Sequence, residues 1–346
     1  MYNMEKYIGR CLDSLLIPEL NQVEVLVVND GSKDRSSEIA HIYENNYPDS
    51  IRVIDKKNGN YGSCVNRAMK EATGRYLKIL DSDDYFDKDV FSEIVKELPN
   101  VTDDVLITLY EAVDEGGNFL FGPRPNISLD FVIGKTYTFE EAFKSGFIPA
   151  GAGQHPFCYN RFLLERAPLE LFEGISFSDG QWATKPLAKA KTVRFMTSKI
   201  LYKYFFGRPG QTMNPTRERE LIKDRFLLIW DELNDFKKNL KLEAFRINFL
   251  SKAFCNRLRQ LYGKILNNGY TEYYSELEQL DKELHFNHQE AYNELSIFTF
   301  APHVRYYPVK HWRKKGYSVN YNIPKYVFLY NRIVCAVSRL KQKLLK

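Results

Sequence analysis

Cysteine is scarce and scattered in this chain. Cys11, Cys64, Cys158, Cys255 and Cys335 form an odd set without C-x-x-C spacing, which argues against a disulfide framework or a zinc site and for reduced thiols in a cytosolic setting. No apolar run reaches the roughly 18 residues expected of a membrane span. Charge of one sign is missing too: 49 basic residues face 44 acidic ones, so charge gives no case for a nucleic-acid partner. Internal repeats and low-complexity segments are absent. Aromatics, by contrast, are plentiful, with 23 Tyr and 24 Phe in 346 residues. That is material for a large core, and the length suggests about two domains on a prior of roughly 150 residues each.

The most informative stretch runs from Tyr76 to Tyr85. Tyr76, Leu77, Ile79 and Leu80 read as a buried strand that ends abruptly in the carboxylates Asp81, Asp83 and Asp84. Such a cluster either lies in solvent at the strand's carboxyl end or is compensated by a cation, and hard divalent ions prefer oxygen ligands of this kind. The plainer reading is an acidic turn in which Asp84 or Asp87 caps the helix through Val90, Phe91, Ile94 and Val95. The cluster alone leaves both readings open.

The surrounding pattern favours a site. Met4, Ile8, Cys11, Leu12 and Leu15 recur at helical spacing, with Asn3 as a candidate N-cap. A strand at Val23 to Val28 ends in Asn29-Asp30-Gly31-Ser32, and a helix through Ile39, Ile42 and Tyr43 leads to a strand at Ile51 to Ile54. After the polar loop from Lys57 to Gly62, a helix through Val65, Ala68, Met69 and Ala72 ends at Gly74. This alternation predicts an α/β fold with a parallel sheet covered on both faces. Ligands gather outside the carboxyl ends of such strands, where Asp30 and the Asp81 to Asp84 cluster both fall.

The ordered set Y-N, V-E-V-L-V-V-N-D-G-S-K-D-R-S, N-G-N-Y-G-S-C-V-N-R-A and A-T-G-R-Y-L-K-I-L-D-S-D-D-Y resembles the nucleotide-sugar domain of family 2 glycosyltransferases. The likeness is strong over the first third of the chain and extends more weakly to about Gly210. It implies a GT-A, Rossmann-like, mostly parallel sheet with helices on both faces, at 1–215, followed by a helical C-terminal domain at 216–346. By this resemblance Asp30 contacts the uracil of a UDP-sugar, and Asp81-Ser82-Asp83 is the DxD motif. Asp83 is then the principal ligand of Mn²⁺ or Mg²⁺, with Asp81 near ribose and metal. The loop carrying Asn58, Gly59 and Gly62 approaches the nucleotide, where glycine permits close backbone contact.

The resemblance also implies a catalytic base. The family's glutamate-aspartate element matches Ser178-Asp179, which makes Asp179 the group that takes the acceptor's proton, with Ser178 in the glutamate's place. Read without the resemblance, Asp179 is an N-cap for the helix through Trp182 and Leu187. His155 matches an acceptor-side position in some relatives, although a lone histidine is more often structural. Val65 stands where many relatives carry an arginine, leaving Lys56 and Lys57 as nearby cations. Leu201 to Tyr204 with Arg208-Pro209-Gly210 resembles the family's closing strand and loop, where Arg208 meets phosphate or lies in a solvated turn.

Beyond Arg217 the composition becomes helical, at Leu221 to Asn234, Leu242 to Leu266 and Tyr273 to Leu284, with Phe245, Phe249 and Phe254 as packing residues. The basic amphipathic end, with Lys325, Arg332, Arg339, Lys341, Lys343 and Lys346, suits peripheral contact with an anionic membrane at its inner face. It suits a helix packed on its own domain equally well. The function expected is an inverting glycosyltransferase using a UDP-sugar and a saccharide or lipid-linked acceptor in cell-surface polysaccharide synthesis. Two rivals stay open: a nucleotidyltransferase, which would show a glycine- and arginine-rich loop after its first strand, and a non-catalytic partner subunit. A last expectation concerns the first strand of the family, which runs into the match for Tyr2-Asn3. Met1 stands where that strand ends, so Met1 reads as an internal methionine of a natural chain starting on the order of 5 to 15 residues upstream. The 346-residue chain is then expected to be less stable and to bind UDP weakly.

Overall fold

The computed structural model describes residues 1–125, 131–146, 153–208, 211, 215–238, 242–299 and 306–329. The chain divides into two units, Met1–Glu218 with Lys241–Leu250, and Arg219–Leu240 with Ser251–Lys346. In the first, helix α1 (Ile8–Asp13) precedes β1 (Val25–Asn29), α2 (Ser36–Asn46), β2 (Ile51–Asp55), α3 (Asn60–Glu71) and β3 (Tyr76–Lys78). Then come β4 (Tyr85–Phe86), α4 (Lys88–Glu97), β5 (Val105–Val113), β6 (Phe119–Arg124), β7 (Thr136–Thr138) and α5 (Phe139–Lys144). The unit continues with β8 (Phe157–Asn160), α6 (Arg161–Arg166), α7 (Asp179–Trp182), the long β9 (Thr192–Phe205) and α8 (Pro215–Glu218).

The strands form two sheets. β1 and β2 pair in parallel, Val25 opposite Ile51 and Asn29 opposite Asp55. The other seven follow the order β3-β8-β5-β9-β4, with β6 on β5 and β7 on β9. Parallel pairing, expected from the alternation, holds for β1 with β2 and for β5 with β9, and the remaining pairs are antiparallel. The sheet is therefore mixed, because the strict alternation stops at the acidic turn after β3. Met1 adds one rung beside β1: its amino group donates to the Val28 carbonyl at 2.8 Å, and Asp30 N–H donates to the Met1 carbonyl at 2.8 Å.

Asn3 does not cap the first helix. It lies at φ 53° and its side chain accepts from Lys33 N–H at 2.8 Å, while Met4 N–H donates to Ser36 Oγ at 2.6 Å. The opening residues are thus tied to the start of α2, and α1 begins only at Ile8. One core packs Ile8, Leu12, Val27 and Ala40 with Val90, Leu106 and Tyr202. Another packs Val65, Ile107, Phe139 and Tyr159 with Trp182 and Phe249.

The second unit is helical: α9 (Ile222–Lys238), most of α10 (Ala244–Asn268), α11 (Tyr274–Asn287), α12 (Gln289–Ser296) and α13 (Pro308–Lys314). Phe254 joins its core with Phe226, Leu258, Tyr262 and Trp312. Phe245 and Phe249, in the first turns of α10, pack instead in the first unit, Phe249 meeting Phe139 at 5.3 Å and Phe143 at 5.5 Å. No helix among the described residues is long and apolar enough to cross a membrane. The basic end expected at a membrane surface lies, from Tyr330 on, outside the described residues.

A buried ion pair holds this helical core. Asp281, at 0% exposure, accepts from Arg313 at 2.7 and 2.8 Å and from the hydroxyls of Tyr262 at 2.8 Å and Tyr317 at 3.1 Å. Removing the carboxylate leaves the buried guanidinium without its countercharge, although it keeps its bonds to the Tyr292 carbonyl and the Ser296 hydroxyl. Asp281→Ala is expected to lower the unfolding free energy by about 3 to 5 kcal/mol, measurable by thermal or denaturant unfolding. An unchanged midpoint would show that Arg313 finds another partner.

Candidate functional site

The acidic turn is built from both sides. Asp84 N–H closes it on the Asp81 carbonyl at 2.9 Å. Asp84 is fully buried and accepts from the Tyr202 hydroxyl at 2.6 Å and from Phe205 N–H at 2.7 Å, so it pins β9 to the turn. Capping of α4 falls to Asp87, which accepts from Val90 N–H at 3.1 Å. Ser82 is half-buried in the turn. Asp83 pairs with the Arg208 guanidinium at 2.9 Å, and its carbonyl accepts from Arg10 at 3.0 Å. Arg208, expected at a phosphate or in a solvated turn, therefore stands on the DxD carboxylate itself, while Pro209 and Gly210 lie outside the described residues.

Asp81 accepts from Gln154 Nε2 at 2.8 Å. Burial, then the charges of Asp83 and Asp179, push its carboxyl up to about 7. Burial with Asp81 and Asp83 moves Asp84 in the same direction. Arg208 offsets only part of this crowding, since its pair is with Asp83, and a further cation would relieve the burial and mutual repulsion of Asp81 and Asp84. His155 belongs to the same group. Its ring meets those of Tyr110, Tyr202 and Tyr204 at 4.9, 4.9 and 4.7 Å. Burial and then the Lys78 ammonium hold its pKa down at about 3, so the imidazole is neutral. Lys78, lowered by burial to about 8, donates to the His155 carbonyl at 2.8 Å and fixes this arrangement from beneath.

Ligand atoms of Asp81, Asp84 and His155 lie within 4.8 Å of one another. Two carboxylates and a neutral imidazole form a donor set that suits a divalent ion such as Mn²⁺ or Mg²⁺. Asp83 stands outside this trio, engaged with Arg208.

Asp30 lies at the end of β1, 3% exposed. Its carboxylate accepts from Lys56 at 2.5 Å and from the backbone N–H groups of Gly59 and Asn60, both at 2.9 Å. Asn58 donates its side-chain amide to the Asp30 carbonyl at 3.0 Å. Three of the roughly four acceptor positions of a carboxylate are thus occupied in shaping the loop, and the Cys64 thiol also hydrogen-bonds to Asp30. Lys56 is held by Asp30, Ser63 and the Lys57 carbonyl. Val65 is buried in the core, where no cation could take its place without loss of packing.

The segment bearing Asp179 docks on α3. Asn66 donates to the Leu171 carbonyl at 2.8 Å and to Glu173 at 3.0 Å, and accepts from Leu171 N–H at 2.9 Å. Gly174 N–H donates to the Gly59 carbonyl at 2.8 Å. This contact requires Gly62, since a Cβ there would stand 1.9 Å from the Phe172 carbonyl oxygen. Gly62→Ala is therefore expected to force the two backbones apart, costing about 1 to 3 kcal/mol as overpacking does, and to lower activity by displacing Asp179. Thermal unfolding and turnover together test this. Wild-type values for both would mean the close approach is not needed.

Asp179 begins the short α7, with Ser178 in the N-cap position. It lies close enough to Asp81, Tyr61 and Tyr204 for its charge to act on all three. Around this centre sit buried polar atoms without hydrogen-bond partners among the described residues: Tyr61 Oη, Gln154 Oε1, His155 Nδ1 and Ser178 Oγ. Buried polar groups are rarely left unpaired, and such a concentration marks a place where a ligand or water completes the bonding. The sequence reading singled out His155 and Ser178 but missed Tyr61, Gln154 and Arg10. Tyr61 stood inside the N-G-N-Y-G loop and could have been read with it, whereas Gln154 and Arg10 carry no local signal.

The profile of glycosyl transferase family 2 matches residues 1–166. GlyG of Streptococcus pneumoniae serotype 4, a glycosyltransferase, is 30% identical over 273 residues, which is 75% of this chain and 84% of that one. EpsJ of Bacillus subtilis, an uncharacterised glycosyltransferase, is 33% identical over 209 residues, 59% of this chain and 58% of EpsJ. Among solved structures, S. aureus TarS residues 1–349 in complex with UDP-GlcNAc superposes with a TM-score of 0.55 at 21% identity, covering 86% of this chain and 78% of that chain.

Proposed function

This chain belongs to family 2 of the glycosyltransferases, and on that premise we propose that it transfers a sugar from a UDP-sugar, with inversion, onto a saccharide or lipid-linked saccharide acceptor of a cell-surface polysaccharide. One observation carries the reading: the segment bearing Asp179, remote in sequence, docks on α3 through Asn66 and Gly59, close enough to the Asp81 to Asp84 turn for its charge to act on Asp81. Sugar transfer needs both halves, a carboxylate for the acceptor's proton and a charged cluster at the departing diphosphate. The choice of a UDP-sugar is supported by TarS, whose shared fold is solved with UDP-GlcNAc. Cys11, Cys64, Cys158 and Cys255 are free thiols, in keeping with action on the cytoplasmic side of the membrane.

Asp30 and the loop of Asn58 and Gly59 receive the uracil end, and Asp81 lies towards the ribose. Asp81, with Asp83 or Asp84, would hold Mn²⁺ or Mg²⁺, which would supply Lewis-acid stabilisation of the diphosphate. Asp179 removes the acceptor's proton as its oxygen attacks the anomeric carbon from the face opposite UDP. His155, neutral and ringed by tyrosines, fixes the acceptor side of the centre. Arg208, held by Asp83, stands beside the same turn as a cation for the phosphates. UDP release measured with a panel of UDP-sugars, with and without Mn²⁺ or Mg²⁺, tests the reading. Metal-dependent release from one of them is expected. Release from none, together with no UDP binding, would favour a partner subunit that keeps the fold without turnover.

A further inference from the structure

β6 differs from the strands around it in being both aromatic and open to solvent. Among the described residues it pairs only with β5, and at its start Phe119 and Leu120 are 59% and 45% exposed. Next to them the Phe121 ring meets Phe206 at 5.6 Å, Phe206 meets Tyr204 at 5.9 Å, and Tyr204 meets His155 at 4.7 Å. The register explains the alignment. Ala112 of β5, small and fully buried, pairs with Phe121 on one side and with Tyr204 on the other, which sets both residues level beside Phe206. A continuous string of rings thus leads from His155, grouped with Asp81 and Asp84, out to a half-exposed Phe206 and the exposed edge of the hairpin.

The hairpin also closes back on the acidic turn. A Cβ on Gly117, at its tip, would stand 3.3 Å from the Tyr85 hydroxyl, one residue beyond Asp84. At the outer end the Arg124 guanidinium lies over the Phe121 ring at 5.7 Å. Tyr204, at the inner end, lies close enough to Asp81, Asp83, Asp84 and Asp179 for each charge to act on its hydroxyl.

We infer that this string of rings is the track of an oligosaccharide acceptor, lying along Tyr204, Phe206 and Phe121 so that its terminal hydroxyl reaches Asp179. The inference rests on the glycosyltransferase reading and adds that the acceptor is a chain of several sugars. A pyranose presents a C–H face and a rim of hydroxyls, which a row of rings meeting edge to face, with a polar group at the margin, accommodates. A lipid tail calls for an aliphatic groove, whereas the lining here is aromatic and ends at the Arg124 guanidinium. Continuity with the reacting centre sets the direction of the chain.

Binding of the full chain to immobilised oligosaccharide series, from monosaccharides to hexasaccharides, tests the track. Wild type is expected to prefer one series at three or more units over its monosaccharide. The double variant Phe121→Ala, Phe206→Ala should bind that series about tenfold more weakly, the scale of two lost ring contacts. Phe162→Ala, an exposed ring on α6, should bind as wild type does. Equal binding by the double variant, preference for monosaccharides, or capture of phosphatidylcholine vesicles through the same rings would overturn the inference. UDP calorimetry on wild type separates the two layers. If UDP binds and no glycan is retained, the track falls and the glycosyltransferase reading stands; if UDP does not bind, both fall.

Discussion

Asp179→Asn is expected to lower sugar transfer by roughly 10²- to 10⁴-fold, the range for loss of a general base. The side chain keeps its size at the first position of α7, so the Leu171 to Gly174 contacts with α3 have no reason to move. What disappears is the ability to accept a proton. UDP affinity should stay within about twofold, well under the tenfold that 1.4 kcal/mol represents, because the aspartate acts on the acceptor side. A variant with full transfer activity would reduce Asp179 to a helix-start residue and send the search for a base to another carboxylate.

Asp83→Ala should have two effects of opposite sign. Metal-dependent UDP binding is expected to fall at least about tenfold, with transfer lost, because a carboxylate is taken from the oxygen set that a divalent ion needs. Metal-free binding should hold or rise. The variant removes the 2.9 Å pair to Arg208 and one negative charge from a crowded turn, which lowers the repulsion a phosphate meets there. Calorimetry with UDP, with and without Mn²⁺, reads both. Unchanged metal-dependent binding would assign the ion to Asp81, Asp84 and His155 and make Asp83 the keeper of Arg208.

Much of this site could be read locally and part could not. Asp30, Asn58, Gly59 and Asp81 to Asp84 stand in short motifs at strand ends, and a strand ending in acid announces itself in a few residues. The sense of each carboxylate was less legible. Asp84 is buried under Tyr202 and Phe205, partners more than a hundred positions away, so a sequence reading could not decide between Asp84 and Asp87 as cap. Arg10, Gln154 and Tyr204 reach the centre through α1, the segment before β8, and β9. Their roles depend on pairing and packing that no periodicity encodes. The mixed sheet has the same origin: β9 is long enough to serve β4, β5 and β7 in different directions, which alternation of short elements does not foretell.

The central claim is that one nucleotide diphosphate site lies between Asp30 and the Asp81 to Asp84 turn, with Asp179 across from it. Crystals grown with UDP and MnCl₂ and measured at the manganese absorption edge test this directly. The expected result is an anomalous peak bonded to Asp81 and to Asp83 or Asp84, bridging the diphosphate, with the uracil against Asp30 and Asn58. Ordered UDP elsewhere on the chain, or manganese away from these carboxylates, would contradict the account.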